Sequence, residues 1–81
     1  MRLSELPNIG PTLESLLREH GVVSPEELRS LGAVETCRRM QLQGEACVNK
    51  LYAIEGAICG IRWHEIPQKE REVLRREFLE G

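Results

Sequence analysis

The stretch of this chain best suited to binding chemistry is Asn8-Ile9-Gly10-Pro11-Thr12. Asn8 tolerates the left-handed region, Gly10 adopts positive φ at no steric cost, and Pro11 suits the first position of a helix. A hairpin that opens a helix exposes backbone N–H groups and partial positive charge. That arrangement can touch a phosphate or a protein partner. Thr12 adds no charge, and Glu5 and Glu14 stand nearby in sequence, where two carboxylates would repel a phosphate. The residues leave two roles open: a hairpin that only fixes an interhelical angle, and one that contacts a ligand.

Other chemistry-bearing side chains are sparse. Arg29, Arg38 and Arg39 form a candidate basic patch, and Arg71, Arg75 and Arg76 a second one, both interleaved with glutamates. Trp63 is a candidate partner-facing aromatic, since tryptophan is enriched among interface anchors. His20 and His64 lack a second His or Cys at helical ligand spacing, so no metal site is expected. His20 stands just before Gly21, where an imidazole suits the end of a helix. The serines show no His/carboxylate arrangement, and no catalytic residue or cofactor is expected. All 13 acidic residues are glutamates, which excludes paired-Asp catalysis, EF-hand loops and Asp-based magnesium sites. Cys37, Cys47 and Cys59 are odd in number and lack C-x-x-C spacing, so all three are expected as reduced, buried core residues.

These residues must be positioned by helices. Leu3 and Leu6 form a short apolar edge before Pro7. Leu13, Leu16, Leu17 and His20 then recur at helical spacing, and Gly21 closes a helix over 11–20. Ser24-Pro25-Glu26-Glu27 reads as a cap, a first-turn proline and a capping-box acid for a helix over 25–31. A third amphipathic helix is expected over 33–43. The stretch 46–59 is far more apolar and should be the central helix. Gly56 within it costs about 1 kcal/mol of helix propensity against alanine, which predicts a helix crossing at close range. Ile61, Trp63 and Ile66 alternate as in a short extended link, and a last, mixed-charge helix covers 67–80. The expected fold is all-α: one domain over 1–81, a compact five-helix unit.

The hairpin with its flanks, Leu3-x-x-Leu6-Pro7-Asn8-Ile9-Gly10-Pro11, resembles a helix-hairpin-helix motif, with Asn8 where the first hairpin glycine usually stands and Thr12 where a basic residue usually stands. A wider resemblance runs through Leu6-Pro7-Asn8-Ile9-Gly10-Pro11, Leu28-Arg29-x-Leu31-Gly32-Ala33-Val34-Glu35, Leu51-Tyr52-Ala53-Ile54-Glu55-Gly56-Ala57 and Trp63-x-x-Ile66-Pro67. In this order they look like the C-terminal domain of the TfoX/Sxy family of competence regulators. The resemblance implies an all-helical domain, no catalytic residue and no cofactor. It further implies a setting in which the full regulator promotes DNA-uptake genes with the cAMP receptor protein. The family domain usually follows a separate N-terminal domain.

Composition narrows the function classes. The chain has 81 residues, 41% apolar and 30% charged, with 11 basic against 13 acidic residues and net charge −2. That is too apolar for disorder and too acidic for a strong grip on phosphate backbones. Residues 1–23 carry 2 basic and 3 acidic groups, and 61–81 carry 5 of each, so neither end is a basic tail. Arg2, Ser4, Glu5 and Pro7 interrupt any secretory signal, and no membrane span is expected, which suggests a cytoplasmic protein. The expected function is non-enzymatic: a protein-binding adaptor in transcriptional regulation. The alternative is a weak, sequence-independent DNA-binding helix-hairpin-helix domain.

Overall fold

A computed structural model describes residues 2–42 and 47–80. Five α-helices appear among them: α1 (Pro11–Glu19), α2 (Pro25–Leu31), α3 (Ala33–Arg39), α4 (Val48–Cys59) and α5 (Gln68–Glu80). Two short 3-10 turns accompany them, Leu3–Glu5 before the hairpin and Trp63–Glu65 between α4 and α5. No strand occurs among the described residues. The radius of gyration is 11.4 Å, close to the ~11.7 Å of a compact chain of this length.

Helix ends follow local chemistry. Gly10 caps α1 in an extended conformation and Pro11 takes the first helical position. The positive φ expected of Gly10 falls on Asn8 instead, at +68°. At the other end Gly21 has φ +85°. The Val22 N–H bonds to the Leu17 carbonyl at 2.9 Å and the Gly21 N–H to the Arg18 carbonyl at 3.1 Å, which is a Schellman closure. Val22 is then fully buried. Ser24 caps α2 by accepting the Glu27 N–H at 3.2 Å, while its hydroxyl donates to the Glu27 carboxylate at 3.4 Å.

Two segments differ from the sequence pattern. α3 stops at Arg39, because Gln41 enters the left-handed region at φ +59° and the Leu42 N–H closes onto the Cys37 carbonyl. Gln43 and Ala46, the outer limits expected for the neighbouring helices, lie outside the described residues. The stretch expected to be an extended link is the second 3-10 turn, which buries Ile66 and leaves Trp63 outside.

The central role of α4 holds. It packs against α2, α3, α5 and the second turn, and buries Leu51, Ile54 and Ala57 completely. Leu3, Ile9, Leu17, Val22, Leu28, Cys37 and Phe78 are among the residues that pack with them in the core. Of the thiols expected inside, only Cys37 is buried. Cys47 is half-buried and Cys59 is exposed, since it falls in the last turn of α4 on its outer side. No helix among the described residues is long and apolar enough to cross a membrane.

Candidate functional site

Asn8 joins the hairpin to the rest of the molecule. Its amide nitrogen donates to the Ala53 carbonyl at 3.3 Å and the Ile61 carbonyl at 3.0 Å, and its amide oxygen accepts the Trp63 N–H at 3.2 Å. An asparagine in the left-handed region thus ties the first hairpin to the end of α4 and the turn beyond it. The close approach expected at Gly56 is present, but its neighbour is not a crossing helix. A Cβ added there would lie 2.8 Å from the Ile61 carbonyl oxygen and 3.2 Å from the Trp63 Cα. The Asn8 amide nitrogen lies nearer still, at 2.5 Å, so Gly56 makes room for the latch.

The hairpin residues divide by role. Ile9 is buried in the core. Gly10, Pro11 and Thr12 are exposed and line a cleft of ≈ 370 Å³ between the start of α1 and α4, whose other walls include Leu13, Leu16, Lys50 and Ala53. Beyond Asn8 a second cleft of ≈ 570 Å³ lies between Ala53, Arg62 and Trp63. The segment before the hairpin is a three-residue 3-10 turn rather than a helix.

The two carboxylates near the hairpin are already committed. Glu14 is buried and accepts the Ser4 N–H at 3.1 Å and the Arg2 guanidinium at 3.2 Å. The Ser4 bond lowers its pKa from the ordinary value of 4.5, burial opposes, and the Arg2 charge adds to the lowering. Glu5 accepts the Arg2 N–H at 2.9 Å. Glu14 therefore ties the first turn to α1, and its charge is met by Arg2.

Trp63 is 41% exposed and held from three sides. Tyr52 stacks on it with ring centroids 6.4 Å apart and planes 12° apart. His64 meets it edge-on at 5.9 Å, and the Arg71 guanidinium lies 5.9 Å from its ring centroid. Arg38, by contrast, donates to the Glu77 carbonyl at 2.9 Å and fastens α3 to α5. Arg29 and Arg39 are exposed in the last turns of α2 and α3. Hairpin and Trp63 are brought together through Asn8; this arginine group lies on other elements. Lys50 and Arg62 belong to no motif. The one signal in the chain is Lys50 as the lone cation of the mostly apolar helical stretch, which marks an outward edge.

A small helical unit, with its first hairpin latched to an exposed aromatic and an apolar cleft beside it, defines an all-helical domain class. The sequence model of the TfoX C-terminal domain matches residues 1–78, and the chain belongs to that family. It is 38% identical over 74 residues to Protein Sxy of Escherichia coli (strain K12), covering 90% of this chain and 35% of that protein. It is 27% identical over 78 residues to DNA transformation protein TfoX1 of Aliivibrio fischeri, covering 94% of this chain and 37% of that one. The chain thus spans about a third of the length of the curated relatives it matches. A crystal structure of an uncharacterized protein from Listeria monocytogenes superposes with TM-score 0.88 at 39% identity, covering 96% of this chain and 90% of the other. A crystal structure, in tetragonal form, of a protein of unknown function from Listeria monocytogenes gives TM-score 0.84 at 40% identity, covering 94% of each chain.

Proposed function

We propose that this domain is a non-enzymatic, cytoplasmic protein-binding adaptor serving the regulation of DNA transformation. The name of one relative, DNA transformation protein TfoX1, places that protein in this process. The observation that carries the adaptor role is the apolar cleft beside the hairpin, walled by Pro11, Leu13, Leu16 and Ala53, with exposed Trp63 beyond it. Such a surface suits side chains of a protein better than a phosphate backbone, and the net charge of −2 points the same way.

Weak, sequence-independent DNA binding is the second reading. It is favoured by the position of Glu14, whose charge is met by Arg2, and by the first-turn N–H groups of α1, which no intrahelical acceptor takes.

One experiment separates them. The immobilised chain is used to capture partners from extract of its source cells, with and without nuclease. The adaptor reading expects a protein retained after nuclease and lost with Ala53→Arg. Capture that vanishes with nuclease, together with a micromolar constant for random duplex, would establish the second reading instead.

A further inference from the structure

We propose that the two clefts flanking Asn8 receive an acidic, amphipathic segment of the partner protein, apolar side chains in the hollow and carboxylates against Lys50 and Arg62. The proposal rests on the adaptor reading and adds the chemistry of what is bound. The cleft between α1 and α4 is walled mainly by apolar groups, and among the described residues Lys50 is the only charged one lining it. Among the described residues the cleft beyond Asn8 likewise has Arg62 as its only charged lining residue. None of the described lining residues carries a carboxylate.

The chain carries 13 acidic against 11 basic residues, yet both charges among the described residues lining these clefts are positive. The described carboxylates around them already hold partners: Glu5, which shares an adjoining cleft with Arg62, accepts the Arg2 N–H at 2.9 Å. Glu65 accepts the Arg62 backbone N–H at 3.0 Å, and Glu14 points to Arg2 and Ser4. Arg71 adds a third cation next to Trp63. Hollows of ≈ 370 and ≈ 570 Å³ accommodate bulky side chains, within the ~300–1,000 Å³ range of binding pockets. Two rim cations around an apolar floor suit a few carboxylates. They fall short of the roughly 6–10 phosphate contacts that give duplex binders their affinity.

The test uses the whole chain as bait for a phage library of random dodecapeptides. Enriched sequences are synthesised with a fluorescent label and titrated by polarisation. Enriched peptides should carry more Asp and Glu than Lys and Arg, beside two or more bulky apolar residues. The exposed-site double variant Lys50→Glu/Arg62→Glu should weaken them about tenfold, with a steep salt dependence lost in the variant. Because both substituted side chains are solvent-exposed, the variant keeps the fold, which circular dichroism checks. Ala53→Arg should abolish binding. Failure of enrichment, enrichment of neutral or basic peptides, or affinity indifferent to the charge reversal would overturn the proposal. So would self-association that Ala53→Arg abolishes, since a second copy would then fill the cleft. A nuclease-resistant partner whose capture ignores Lys50, Arg62 and Ala53 would overturn it while leaving the adaptor reading intact.

Discussion

At the residue scale, Asn8 and Gly56 form one device. Asn8→Gly keeps the left-handed backbone but strands the groups its side chain serves at Ala53, Ile61 and Trp63. Leaving partly buried polar groups unpaired should cost about 1–3 kcal/mol. Asn8→Ala should lose roughly 1 kcal/mol more, because alanine resists φ +68°. Urea unfolding of both variants checks the order, and an Asn8→Ala more stable than Asn8→Gly would refute it. Gly56→Ala gains ~1 kcal/mol of helix propensity but drives a methyl into the Ile61 and Trp63 backbone. Backbone cannot swing aside as a flexible side chain can, so overpacking of about 1–3 kcal/mol should win. A raised urea midpoint at unchanged slope would contradict this.

Two titrating groups yield further residue-scale predictions. Folding lowers the Glu14 pKa below its ordinary 4.5, through the Ser4 bond first and the Arg2 charge after it. The folded state therefore binds the proton less readily than the unfolded chain. Its stabilisation is complete above about pH 4.5 and lost as pH falls through the lower, folded value. Relative to Glu14→Gln, the wild type should hold a constant advantage at neutral pH that shrinks in acid; an advantage that grows there would refute the assignment. Among the thiols, burial raises the Cys37 pKa to about 12, helped by Cys47. Burial and Glu55 also raise that of Cys59, yet its side chain is exposed. Peptide mass mapping after a brief native alkylation should find label at Cys59 before Cys37, with Cys37 labelled only on unfolding.

At the element scale, the start of α2 rests on Ser24, whose hydroxyl accepts the Glu27 N–H. Ser24→Ala should cost about 1 kcal/mol, read as a lower urea midpoint, and an unchanged midpoint would show that the cap contributes nothing. This start was legible in the sequence because capping depends on neighbours three residues apart. The same holds for the α1 end at Gly21, where a Schellman closure and an apolar residue follow each other along the chain. The end of α3 was not legible. Gln41 has no intrinsic preference for the left-handed region, and nothing local distinguishes it from a continuing helical residue. The second 3-10 turn escaped for a related reason: alternating Ile61, Trp63 and Ile66 satisfy an extended pattern equally well, and the choice was made by Ile66 reaching the core and Asn8 holding the Trp63 N–H.

For the whole molecule, charge governs which partners are excluded. With net −2 and two cations at the clefts, random duplex DNA at ~150 mM salt should bind more weakly than the ~10⁻⁴–10⁻⁶ M of common non-specific binders. An anisotropy titration giving a micromolar constant would overturn this.

The helical class, the start of α2, the apolar helix at the centre and the family were legible along the chain, because each rests on periodicity, capping chemistry or ordered local motifs. What the hairpin does came from contacts between distant segments. Asn8 and Trp63 are 55 positions apart, and no local pattern announces that an amide at one will hold the backbone at the other. The same long-range closure turned Glu14 inward to Arg2 and left Cys59 outside. It also set Lys50 and Arg62, from separate elements, at the rims of two neighbouring clefts. Such placements depend on which faces meet once the core closes, and that is a property of the packed chain rather than of any segment of it.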